Sequence, residues 1–127
     1  MEPKLIICDT NILIELYKNN HAIISTLQNI GEDNIAISAI TAGELIFGAL
    51  NKKELQTIKK DLDKLTVFHI NDLISKKYIE LMYQYSKSHG LAIPDAIIAA
   101  TALVYNVKLY TLNIKDFKFI EGLVLFD

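Results

Sequence analysis

Arginine and tryptophan are absent from this 127-residue chain, and cysteine occurs once. Without arginine, bidentate recognition of phosphates or guanine edges is not available, and all 13 basic side chains are lysines. The single Cys8 can form no intramolecular disulfide and argues against a cysteine-based zinc site. Within Leu5-Ile6-Ile7-Cys8 it reads as a small buried hydrophobe. A strong charge of either sign is also missing. At a formal net charge of −2, the molecule has no long-range attraction to nucleic acid, so a polyanionic substrate would need a local lysine patch or a metal. No apolar run is long enough to span a bilayer, because the longest candidate, Leu91 to Val104, contains Pro94 and Asp95. Met1-Glu2-Pro3-Lys4 lacks the features of a signal peptide, and the expected location is cytoplasmic, with no membrane partner.

What the chain does have is apolar residues, at 51%, enough for an ordinary core in one compact domain over residues 1–127. Short β-branched runs predict strands at Lys4 to Cys8, Ile35 to Ser38, Thr66 to Ile70, Val107 to Thr111 and Leu123 to Phe126. Helical spacing predicts helices over Asp9 to Tyr17, His21 to Ile30, Thr41 to Leu50, Lys53 to Leu65, Asn71 to about Ser88, and Pro94 to Tyr105. Gly31 and Gly90 stand where helices end, Asn71 where one is capped, and Pro94 in a first turn. Strands alternating with helices indicate an α/β fold: a mainly parallel five-stranded sheet with helices on both faces.

Four acids then stand out: Asp9 directly after the first strand, Glu44 a helical turn after the second, Asp95 in the first turn of the helix leading to the fourth, and Asp116 just past the fourth. In an open parallel sheet all of these positions lie at the carboxyl edge, where ligands bind. Carboxylates among Ile, Leu, Ala and Val need a cation to offset their desolvation, and a cluster of them suits a hard divalent ion. Each acid also has a local explanation. Asp9 can cap its helix, Asp95 can sit at a positive helix end, Thr41-Ala42-Gly43-Glu44 has the form of a capping box, and Asp116 fits an Asx-type turn at Asn113. Helix caps need not share one sheet edge, so the four together favour a site. Thr10, Asn11, Thr111 and Asn113 add neutral groups able to orient carboxylates or water.

Asp9-Thr10-Asn11-Ile12-Leu13, Glu44-Leu45-x-x-Gly48, Pro94-Asp95-Ala96-Ile97-Ile98-Ala99-Ala100 and Thr111-Leu112-Asn113-x-x-Asp116-Phe117, in this order over essentially the whole chain, resemble the PIN-domain nucleases. Among these the likeness is to the VapC toxins of prokaryotic toxin–antitoxin pairs. The resemblance implies a single PIN-like domain in which Asp9, Glu44, Asp95 and Asp116 are the catalytic, metal-binding acids, with Asn11 and Thr111 in support. It further implies Mg²⁺- or Mn²⁺-dependent endonucleolytic hydrolysis of RNA to 5′-phosphate and 3′-hydroxyl ends, a homodimer, and a cognate small antitoxin protein as partner. On this expectation Asp9 and Asp95 ligate directly, and Glu44 and Asp116 act in part through water. Many relatives use arginine near the RNA path; here lysine has to serve.

Other features have plainer readings. His21, His69 and His89 share no sheet edge, which argues against a metal-free histidine acid–base pair. Lys52, Lys53, Lys59, Lys60 and Lys64 could follow an RNA backbone, but Glu54, Asp61 and Asp63 interrupt them as on a solvated helix face. Tyr78, Tyr83 and Tyr85 read as core or interface. A receiver domain would need paired acids after the first strand and an acceptor after the third, where His69-Ile70-Asn71 stands. An aspartyl-phosphate hydrolase would need Asp-x-Asp in place of Asp9-Thr10-Asn11. The remaining alternative to the nuclease is a catalytically weak module of the same fold that binds RNA or protein.

Overall fold

A computed structural model describes residues 4–127; the Met1-Glu2-Pro3 start, read above for signal-peptide features, lies outside the described residues. The elements are β1 (Ile6–Cys8), α1 (Thr10–Tyr17), α2 (His21–Ile30), β2 (Ile35–Ser38), α3 (Ala39–Phe47), α4 (Lys52–Leu62), β3 (Thr66–Phe68), α5 (Asp72–Tyr85), α6 (Ile93–Tyr105) and β4 (Lys108–Tyr110). Short 3₁₀ turns occupy Glu32–Asn34 and Ile114–Asp116.

Local chemistry sets most boundaries. The side chains of Asn20, Asn51 and Asn71 accept the Ile23, Glu54 and Ile74 amides and so start α2, α4 and α5. Pro94 lies in the first turn of α6, where its missing N–H is no loss, and Asn106 ends that helix in the left-handed region at φ 54°. Gly31, at φ +92°, ends α2 in a backbone conformation that strains other residues.

The strands run parallel in the order β3-β2-β1-β4. The chain therefore winds outward from β1 to β3, then returns through α5 and α6 to the other side of β1. Successive strand residues face opposite sides, as the pleat requires. Ile7, Ala36 and Leu109 pack into one core with α5 and α6, around Ile74, Leu81, Ile98 and Phe117. Cys8, Ile35 and Ile37 pack into a second core with Ile12, Leu13, Ile23, Leu27, Leu45 and Ile58. Burial on both faces is why the strands read as unbroken apolar runs.

Three expectations are corrected. The fifth strand is a single parallel bridge, Leu109 to Leu125, carried by Leu109 N–H to the Val124 carbonyl and Phe126 N–H to the Leu109 carbonyl. Pairing is confined there because turns at Phe117 to Gly122, the last at φ +85°, bring the chain to β4 only at its end. The third helix starts at Ala39, two residues early, because Ser38 Oγ accepts the Ile40 amide and caps it; Thr41 then lies in the first turn and forms no capping box. Nor does the Asn113 side chain cap the turn at Asp116; the Asn113 amide instead donates to Thr111 Oγ1 at 3.0 Å. No helix among the described residues is long and apolar enough to cross a membrane.

Phe117 is fully buried one residue after Asp116. Phe117→Ala is expected to destabilise the fold by about 3–5 kcal/mol, read as a lower urea midpoint with an unchanged denaturant slope.

Candidate functional site

Asp9 ends β1 at the carboxyl edge of the sheet and is only 6% exposed. Its Oδ1 accepts the Thr10 amide at 2.8 Å, so it caps α1. Its Oδ2 accepts the Thr111 hydroxyl at 2.8 Å and the Asn11 side-chain Nδ2–H at 3.2 Å. These donors are themselves held: the Asn113 N–H donates to Thr111 Oγ1, and the Leu112 N–H donates to Asn11 Oδ1. The loop after β4 is thereby tied to the start of α1 through one carboxylate.

Glu44 projects from α3, exposed, and accepts the Thr10 hydroxyl at 2.7 Å. Asp95 lies in the first turn of α6 and Asp116 in the turn after β4, both partly buried. Fully buried Ala99 follows Asp95 one helical turn on, so small side chains stand beneath the acid. Burial, and then the nearby charges of Asp9, Asp116 and Glu44, push the Asp95 carboxyl up to about 6. Burial raises Asp9 as well, with Glu44 and Asp116 adding to the rise and the Thr111 and Thr10 hydrogen bonds opposing it. The structure thus brings the four predicted acids into one mutually repelling group.

Among the described residues no lysine or histidine forms an ion pair with them. Among the described residues the ion pairs are Lys18–Glu15, Lys59–Asp63 and Lys77–Glu80, none of which involves the group. His21, His69 and His89 are all exposed, and His89 stacks on Phe119 at 4.2 Å. The donor chemistry, carboxylate oxygens confined with like charges and lacking a cationic side chain, fits a hard divalent ion. Among the described residues no three His, Cys, Asp or Glu side chains converge as a ready-made ligand group, so a bound ion would have to draw the carboxylates together. Cys8 lies beside the site, but burial, and secondarily Asp9, pushes its thiol up to about 12, and it is inert packing.

Thr41 joins the site through its tertiary contact. It is fully buried, and its hydroxyl lies 3.0 Å from that of Thr10. Its one sequence signal is the spacing Thr41-x-x-Glu44, which also has the form of a capping box. Beside Glu44 opens a groove of about 620 Å³, walled by Ile14, Tyr17, Leu45, Gly48, Leu50 and Ile58. Lys52, Lys53, Lys59 and Lys60 lie exposed on α4, with Lys59 paired to Asp63 at 3.3 Å. Tyr85 is core, its hydroxyl accepting the Glu121 amide, while Tyr83 is 88% exposed.

Fold and site together define a parallel α/β protein with an acidic cluster at the switch point beside β1. The PIN domain family model matches residues 6–121. Ribonuclease VapC1 of Methanocaldococcus jannaschii is 32% identical over 130 residues, covering 99% of this chain and 90% of that one. Ribonuclease VapC1 of Haemophilus influenzae is 35% identical over 123 residues, covering 91% of each. A solved VapBC-1 structure from nontypeable Haemophilus influenzae matches with a TM-score of 0.81 at 31% identity, covering 97% of both chains. The chain belongs to the PIN-domain family, and these relatives are its VapC members.

The raised acids set a pH dependence of stability in the metal-free protein. Asp95 holds its proton more tightly folded than unfolded, so between the ordinary 3.8 and about 6 the native state binds more protons, and stability falls as pH rises. Asp95→Asn removes the charge that has to be confined. In urea unfolding without metal, the variant is expected to gain on the wild type as pH rises through this window and to keep the advantage above about 6.

Proposed function

We propose that this chain is a metal-dependent endoribonuclease acting as the toxin of a VapBC-type toxin–antitoxin pair. The observation that carries this reading is the group of four carboxylates, drawn from four separate segments and coupled with no ion-paired lysine or histidine among the described residues, in a chain whose relatives are VapC ribonucleases. In this reading residues 1–127 are one PIN domain, and Asp9, Glu44, Asp95 and Asp116 hold Mg²⁺ or Mn²⁺. Asp9 and Asp95, the two acids with raised proton affinity, are the direct ligands. When bound, the ion supplies Lewis-acid polarisation of the phosphodiester, an acidified water for in-line attack, and stabilisation of the leaving oxygen.

The chain's own part is to hold the carboxylates and the RNA. Thr111 and Asn11 keep the Asp9 carboxylate fixed by donating to one of its oxygens, and Thr10 does the same for Glu44. Asn113 acts through its backbone amide on Thr111. With no arginine, contact to the RNA backbone falls to exposed lysines, point charges that confer little base preference. A small antitoxin is the proposed partner. The groove beside Glu44, lined in part by Leu50 at 85% exposed, supports such an apolar partner, and Phe47 at the end of α3 is 92% exposed. A homodimer belongs to the same proposal.

Total cellular RNA incubated with the purified chain is expected to yield discrete fragments with Mg²⁺ or Mn²⁺ and none with EDTA. Asp9→Asn and Asp95→Asn are each expected to lower cleavage by more than about a hundredfold, beyond what loss of an outer hydrogen-bond partner produces. RNA binding without cleavage by the folded, metal-supplied chain would mark it instead as a binding module.

A further inference from the structure

Beyond Thr10 at the start of α1, four helical threonines use their hydroxyls in two ways. Thr26, Thr57 and Thr101 donate to the carbonyl four residues back in their own helices, at 3.0, 3.2 and 2.7 Å. Thr41 does not. It lies in the first turn of α3, where residue 37 still belongs to β2, and its fully buried hydroxyl faces Thr10 of α1 at 3.0 Å.

Proton counting settles the direction of this contact. Thr10 has one hydroxyl hydrogen and two oxygen neighbours, Thr41 Oγ1 at 3.0 Å and Glu44 Oε1 at 2.7 Å. An ionised carboxylate can only accept, so the Thr10 hydrogen goes to Glu44. Thr41, buried and with no other partner among the described residues, directs its own hydrogen to Thr10. The result is a one-way chain, Thr41 to Thr10 to Glu44, anchored in the core and ending on an exposed carboxylate. Polarisation along such a chain strengthens its last bond. Asp9 is served by a matching chain, from the Asn113 N–H through the Thr111 hydroxyl.

We propose that Thr41 is a positioning residue for Glu44: its buried hydroxyl commits the Thr10 proton to Glu44 and so sets where that carboxylate stands for binding a divalent cation. The inference rests on the metal reading above. An exposed glutamate on a helix samples several rotamers, and fixing it lowers the entropy lost when it ligates.

Mn²⁺ uptake by the purified full chain, followed by electron paramagnetic resonance of the free ion, tests this without reference to activity. Thr41→Val keeps the side-chain shape and loses the hydroxyl; Thr41→Ser does the reverse. Valine is expected to weaken Mn²⁺ binding by about tenfold, and serine to retain wild-type affinity. A packing role would invert that order, and the inverted order, or no effect of valine, overturns the proposal. Thr10→Val breaks the same chain at its half-buried member. It is expected to weaken binding at least as much, with Thr41→Val adding nothing on top of it, whereas additive losses overturn the relay. Glu44→Gln separates the two levels of the argument. Wild-type binding that Glu44→Gln weakens and Thr41→Val and Thr10→Val leave alone overturns the role of Thr41 only. A wild-type chain that takes up no Mn²⁺, or is indifferent to Glu44→Gln, overturns the metal reading with it.

Discussion

Burying one carboxylate at the end of β1 imposes more on this molecule than any other interaction. Asp9 is nearly inaccessible to water, and an ionised acid there is tolerated only with donors on both of its oxygens. One set comes from the first turn of α1 and is local. The other is the hydroxyl of Thr111, 102 residues away in sequence. The donor can arrive only if β4 lies beside β1, in the register that pairs Ile7 with Leu109 and Cys8 with Tyr110. The return of the chain across the sheet through α5 and α6 therefore brings the shorter of the two donors on Asp9 Oδ2, beside the local Asn11 side chain, and joins the fold to the acidic site.

The way charge is handled at that edge distinguishes it from an ordinary polar surface. Thirteen lysines are available, yet the ion pairs among the described residues lie along single helices or their ends, away from the acids. Asp9 and Glu44 are held by neutral groups instead: a backbone amide, a carboxamide and hydroxyls. Neutral donors orient a carboxylate without cancelling its charge, so the group keeps its capacity for a cation. A lysine in the same place would relieve the repulsion and also fill the position. This is the physical sense in which the edge is suited to a metal and to the RNA chemistry proposed for it.

Away from the acids the structure is less uniform in how firmly its parts are held. The helices on the α5–α6 side share an extensive core. On the other side α4 contributes one buried residue, Ile58, and the Tyr17 hydroxyl donates to Asp61 across to α1 at 2.8 Å. Apolar grooves open on both sides of that contact, one of them beginning at Glu44. An apolar wall next to an uncompensated acid offers a partner both burial and charge pairing, in keeping with a protein whose solved relatives include VapBC pairs.

Much was decided within the sequence itself. The bounds of α2 and β2 follow from Asn20, Gly31 and a continuous apolar run, all signals that act within a few residues. The positions of the acids after strands and in first turns were legible for the same reason, as was the inertness of Cys8. Tertiary structure decided what depends on distant partners. Leu123 to Phe126 has the composition of a strand, but whether it pairs is set by where the preceding turns deliver it, and it reaches β4 at one residue only. The motif Thr41-Ala42-Gly43-Glu44 is indistinguishable from a capping box in sequence, yet Ser38 takes the cap and Thr10, from another helix, takes both side chains. A hydroxyl's partner is chosen by what the fold brings within 3 Å of it, and no local pattern contains that information.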